Sequence, residues 1–167
     1  MITKSYILEN LESLEKFYNK SSSGKKGLFF SKLAILELCG WIEESMDDIV
    51  RRSSIRKLNN ANNRSFIEKS VIKRTYGFEY NSHFRNMLID LIGIINVEKL
   101  ENKLDPVKFQ LMTSTLDTLK IIRNTEAHTH IKGITKRIDA PSLTKSRFLP
   151  IFEGLKDIDL KLRNLKF

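Results

Sequence analysis

At 167 residues the chain has room for one domain with a real core and too little for two comfortable ones. A composition of 41% hydrophobic and 29% charged residues, with only seven glycines and three prolines, describes a soluble globular chain with few turns and favours helices over a many-stranded sheet. The 29 lysines and arginines exceed the 20 acids to give a formal net charge of +9, which suits a polyanion such as nucleic acid, although charge alone fits a merely basic protein equally well.

Cys39 stands alone, so an internal disulfide is excluded and a thiolate zinc site has no ligand set. Its neighbours Leu38, Gly40 and Trp41 suggest a buried thiol. No apolar run approaches the ~20 residues that span a bilayer, and charges interrupt the N-terminal stretch where a signal peptide would be apolar. The expected location is therefore the cytoplasm, with no membrane partner.

In chain order, Ile7, Leu11, Leu14 and Tyr18 recur at helical spacing and predict a first helix over residues 4–20. A polar, basic connection is expected near 19–27. Leu28, Ile35, Leu38, Cys39, Ile42, Met46 and Ile49 then share one arc of a long central helix, while Phe30, Leu33, Ala34 and Trp41 lie on its other side. The first half of that helix is apolar nearly all round, so it either sits deep in a bundle or also meets a second subunit.

The second half places Glu43, Glu44, Asp47 and Asp48 before Arg51, Arg52, Arg56 and Lys57, which suits the helix dipole only at the basic end. The acids could ligate a metal, but spacing of this kind more often marks a solvated face, and no metal is expected. An asparagine-rich break near 58–63 leads to a short basic helix around Phe66, Val71 and Ile72. After Gly77, Phe84, Met87, Leu88, Leu91 and Ile92 form another amphipathic piece, with His83 at its start read as a surface or capping residue.

Asp105 and Pro106 have the types of an N-cap and a first helical residue, and Phe109, Met112, Leu116 and Leu119 follow as a stripe. A polar connection near 133–142 precedes a last helix carrying Phe148, Phe152, Leu155, Ile158, Leu162 and Leu165, which Pro150 either kinks or begins. Arg123 continues the stripe of the preceding helix, where a core residue belongs. A guanidinium there needs an anion: a carboxylate as a plain salt bridge, or a phosphate at an open cleft.

His128 follows Arg123 by five positions, so on an unbroken helix the two point about 140° apart, with about 7.5 Å between them along the axis. A joint site needs the helix to open near Ala127, or a second copy of the motif across an interface. Imidazole suits proton transfer near neutral pH, arginine suits a charged phosphorane, and RNA carries its own nucleophile in the 2′-hydroxyl, so cleavage needs neither metal nor cofactor. Asn124 could orient the histidine or a ribose by hydrogen bonding.

The segment Arg123-Asn124-Thr125-Glu126-Ala127-His128 resembles the Arg-polar-x-x-x-His signature of the HEPN superfamily. That resemblance implies an all-α, up-and-down helical bundle in which Arg123 and His128 are the catalytic pair and Asn124 supports them. Thr129 and His130 are possible supporting residues. Some toxin members have tyrosine two residues after the motif histidine, where this chain has His130. Many members are metal-independent endoribonucleases that dimerise so that two motifs line one cleft and act as bacterial toxins or antiviral effectors; others are non-catalytic.

The reading that follows is a homodimeric endoribonuclease in a toxin or defence role, with a cognate antitoxin or defence-system protein as a further partner. The alternative is a non-catalytic helical module that binds RNA, acts as an antitoxin or contacts proteins. Lys132, Lys136 and Arg137 are the expected RNA-binding cations, with Arg51, Arg52 and Arg56 as a second path.

Overall fold

In a computed structural model, residues 2–127, 130–131 and 137–166 are described, and among them every regular element is helical. α1 (Ser5–Asn19), α2 (Gly24–Lys57), α6 (Pro106–Ala127) and α7 (Pro141–Arg163) are the long members and pack on one another. Between α2 and α6 the chain runs through α3 (Ala61–Phe66), a π-helical turn (Ile67–Val71), a short 3-10 turn (Ile72–Arg74), a second π-helical turn (Tyr80–Phe84), α4 (Arg85–Ile92) and α5 (Ile94–Glu101). One continuous apolar core joins these elements, with Ile35, Leu38, Ile42, Met46 and Ile49 of α2 fully buried at its centre. No helix among the described residues is long and apolar enough to cross a membrane.

Several boundaries differ from the sequence expectation for identifiable reasons. The connection expected at 19–27 shortens because α2 begins at Gly24. Gly27 lies against the Tyr18 ring, where an added Cβ would come within 3.3 Å of Cε2, so the missing side chain lets the first turn of α2 close onto α1. The break at 58–63 also shortens: the Asn60 side chain accepts from the Asn62 amide at 2.8 Å and starts α3 at Ala61. Gly93, at φ +77°, divides what reads as one amphipathic piece into α4 and α5, and the change of direction leaves Ile94 and Ile95 exposed while Val97 and Leu100 are buried.

Asp105 caps α6, its Oδ1 accepting from the Val107 amide at 3.0 Å and the Lys108 amide at 3.1 Å. Pro141 occupies the first turn of α7, inside the connection expected at 133–142, where its missing N–H has no intrahelical partner to lose. Pro150 lies within α7 and does not begin it. On the polar half of α2, Asp48 pairs with Arg51 and Arg52 of the same helix, and buried Asp159 of α7 receives Arg163 from one turn on and ties the two helices by taking Arg52 from α2.

On the first half of α2, Ala34 is buried, Phe30 is partly buried against the Phe17 ring at 5.7 Å, and Phe29 and Leu33 remain 50% and 44% exposed. The apolar surplus read from the sequence is thus divided between the core and an uncovered strip.

Candidate functional site

The last turns of α6 carry Lys120, Arg123 and Asn124 toward a segment that links the 3-10 turn to the second π-helical turn. Together with Tyr76, Gly77, Phe78, Glu79 and His83 they line a cleft of about 180 Å³. That is below the ~300–1,000 Å³ of ordinary small-molecule pockets, and it suits one charged group of a longer ligand better than a whole ligand. Tyr76 is 84% exposed at this cleft.

Of the two kinds of anion its position calls for, Arg123 meets the carboxylate. Its Nη2 lies 3.5 Å from Glu43 Oε1 on α2, and its Nη1 donates to Asn124 Oδ1 at 3.3 Å. The guanidinium side chain keeps 36% of its exposure and opens on the cleft. An ion pair this long between two part-exposed groups contributes at most about 1 kcal/mol, so it orients Arg123 without consuming it.

The neighbouring titrations follow from burial. Burial pushes the Cys39 thiol up to about 12, with Arg123 opposing and Glu43 reinforcing the rise, which removes Cys39 as a nucleophile at neutral pH. One turn beyond Glu43, burial lifts the Asp47 carboxyl to about 6; Arg51 opposes the rise, and Glu43, Glu68 and Asp48 add to it. Among the described residues no three His, Cys, Asp or Glu side chains are grouped to hold a metal ion.

The opposite wall of the cleft depends on local backbone geometry. Gly77 has φ +134°, a conformation L side chains rarely adopt, and an added Cβ would lie 2.8 Å from His83 Cε1 and Nε2. The imidazole therefore rests on bare backbone. The Glu79 carbonyl accepts from both the His83 amide at 3.2 Å and the Phe84 amide at 3.1 Å, which is the widened turn that buries Tyr80 and Phe84 while leaving His83 on the cleft. The Glu79 carboxylate takes Lys120 on one oxygen and faces His83 Nδ1 at 3.5 Å with the other.

His83 is thus a site residue that its sequence reading as a surface or capping group did not assign. The signal that could have found it is Glu79 at i−4, a carboxylate one turn before an imidazole. Glu126 does not line the cleft, but its burial also escaped the sequence reading. It continues the stripe of Leu119 and Arg123 and is only 4% exposed, so a carboxylate lies buried inside the motif.

Of the other residues singled out, His128, Thr129, Lys132 and Lys136 lie outside the described residues. His130 and Arg137 are exposed and non-helical, and between them Ile131 is buried. Arg51 is held by Asp48 at 3.0 Å and Glu68 at 3.0 Å, Arg52 by Asp48 and Asp159, and Arg56 donates to Ser53 Oγ at 3.0 Å. These three arginines line none of the cleft wall described above. No protein-family model, curated protein or solved structure matches the chain.

Proposed function

We propose that the protein is a metal-independent endoribonuclease of HEPN type, built as a HEPN-like up-and-down bundle, that acts as a cytoplasmic homodimer in a bacterial toxin or antiviral role. The observation that carries this reading is that Arg123, Asn124 and Lys120 open together on a cleft at the end of α6. A guanidinium on the apolar stripe of a helix would otherwise be sealed or neutralised in the core.

In this mechanism the 2′-oxygen of a ribose attacks the adjacent phosphorus as its proton is removed, and the bond from phosphorus to the 5′-oxygen breaks. The products are a 2′,3′-cyclic phosphate and a 5′-hydroxyl. Arg123 binds the phosphate and stabilises the charge that grows on its oxygens, Asn124 orients the guanidinium or the ribose, and His128 transfers a proton. Thr129 and His130 support the motif, and Lys132, Lys136 and Arg137 hold the flanking RNA backbone. α6 is described through Ala127, one residue short of His128.

The test is incubation of purified protein with total RNA in excess EDTA, followed by mapping of fragment ends. Cleavage that leaves cyclic-phosphate ends is expected; intact RNA overturns the reading. The Arg123–Glu43 contact favours a second reading, in which the motif serves structure and the chain is a non-catalytic RNA-binding, antitoxin or protein-interaction module. A mobility shift without cleavage would select RNA binding, and co-purification of a defence-system partner with neither would select the protein-interaction role.

A further inference from the structure

In-line cleavage of RNA moves two protons: one leaves the 2′-oxygen as it bonds to phosphorus, and one reaches the 5′-oxygen as its bond to phosphorus breaks. A single imidazole cannot hold both positions, which lie on opposite sides of the phosphorus. In the ribonuclease reading His128 takes one of them. The cleft contains a second imidazole in place beside Arg123, Lys120 and Asn124.

We propose that His83 is a catalytic residue of this site, the general base that takes the proton from the 2′-hydroxyl, leaving His128 as the acid that protonates the departing 5′-oxygen; this rests on the ribonuclease reading above. The tautomer argues for the base role. Nδ1 of His83 is buried 3.5 Å from Glu79 Oε2 without a hydrogen bond to it; the facing carboxylate favours a hydrogen on Nδ1 electrostatically, which leaves the lone pair on Nε2. The other Glu79 oxygen binds Lys120, which fixes the carboxylate between the two. Gly77 completes the arrangement, because any side chain there would displace the ring.

This places a carboxylate, an imidazole and two cations around one small opening, with the proton acceptor and the phosphate ligands on different helical segments. His83 comes from the π-helical turn, and Lys120, Arg123 and Asn124 come from α6. A phosphodiester held by Arg123 would present its ribose to the opposite wall, where His83 and exposed Tyr76 stand.

The experiment uses a short oligoribonucleotide centred on a site cleaved in total RNA, and the same oligonucleotide with sulfur replacing the bridging 5′-oxygen at that site. A thiolate leaves without protonation, so the sulfur substrate bypasses the acid and not the base. Full-length wild type, His83→Ala, His83→Gln and His128→Ala are compared, with melting curves on each. His83 variants are expected to lose roughly 100-fold or more in kcat on both substrates. His128→Ala is expected to lose cleavage of the oxygen substrate and to recover on the sulfur one.

Glu79→Gln, which keeps shape but weakens control of the tautomer, is expected to lower kcat more than it raises KM. Should both His83 variants melt below the assay temperature, Glu79→Gln and Gly77→Ala decide the matter by the same two-substrate comparison. Full activity of a folded His83 variant overturns the proposal while leaving the ribonuclease reading standing. Recovery of His83 variants on the sulfur substrate overturns the base assignment. Absence of cleavage by the wild type overturns the reading on which both rest.

Discussion

At the scale of single residues, Arg123 separates a structural salt bridge from a reacting site. Its contact with Glu43 is a 3.5 Å pair between part-exposed groups. Arg123→Ala should therefore cost no more than about 1 kcal/mol in stability, while lost transition-state stabilisation should reduce cleavage roughly 100- to 1,000-fold. Arg123→Lys should restore only part of the rate, because a point charge replaces a fork that can grip two oxygens. A collapse in thermal stability with Arg123→Ala would mean that the guanidinium serves the fold. His128→Ala should abolish cleavage and leave the circular dichroism and melting temperature unchanged.

Asp47 gives a second prediction at this scale, on stability alone. Its carboxyl is lifted to about 6 in the folded chain, chiefly by burial. The native state therefore holds its proton more tightly than the unfolded state does, and the cost of ionising Asp47 is absent below about pH 4, grows between about 4 and 6, and is complete above that. Allowing for partial exposure, the cost is about 1–2 kcal/mol. Asp47→Asn should accordingly be more stable than wild type at pH 7, with the difference shrinking to nothing as the pH falls to about 4. Parallel urea titrations of the two proteins at pH 4, 5, 6 and 7 measure this; a difference independent of pH would refute it.

At the scale of elements, glycine decides where helices approach. Gly154 of α7 faces Met112 of α6 so closely that an added Cβ would lie 2.5 Å from the methionine Cβ. Gly154→Ala should destabilise by about 1–3 kcal/mol through overpacking, despite the gain of up to about 1 kcal/mol that alanine brings to a helix. Gly40 of α2 has open space around it, so Gly40→Ala should show that gain alone. Opposite signs of the two melting-temperature changes are the expected outcome.

The helices themselves were largely legible, because periodicity reports burial: the α2 arc of Ile35, Leu38, Ile42 and Met46 is the core, and Asp105 caps α6. What escaped were features set by tertiary contact. Nothing local announces that Gly27 will rest on Tyr18, or that the chain before α4 will widen into a π-helical turn and turn His83 inward. Arg123 and Asn124 could be placed at a site from sequence, but Lys120, Glu79 and His83 join them only because α6 meets a segment about 40 positions away in the chain.

At the scale of the whole molecule, the strip of Phe29 and Leu33 bears on assembly. If the proposed homodimer closes on this strip, Leu33→Glu should convert a dimer to a monomer in sedimentation velocity and reduce cleavage with it. A wild type that stays monomeric at micromolar concentration while cleaving at full rate would refute the shared-cleft arrangement. If chains do share the cleft, co-expressed Arg123→Ala and His128→Ala subunits should recover part of the activity each lacks alone. Affinity for RNA should be separable from chemistry: neutralising Lys132, Lys136 and Arg137 together should lower the slope of log affinity against log salt by roughly 2.

Trp41 is the only tryptophan, and from α2 it touches two other parts of the chain at once. Its Nε1 donates to the Thr3 carbonyl at 3.0 Å from its place in α2, and its ring lies 5.0 Å from that of Phe148 in α7. The protein therefore carries a built-in optical gauge: its fluorescence reports whether the N-terminal segment, α2 and α7 are docked together. Undocking should move the emission maximum to longer wavelength as water reaches the indole, and with one tryptophan, excited beyond the absorption of the four tyrosines, that shift needs no deconvolution.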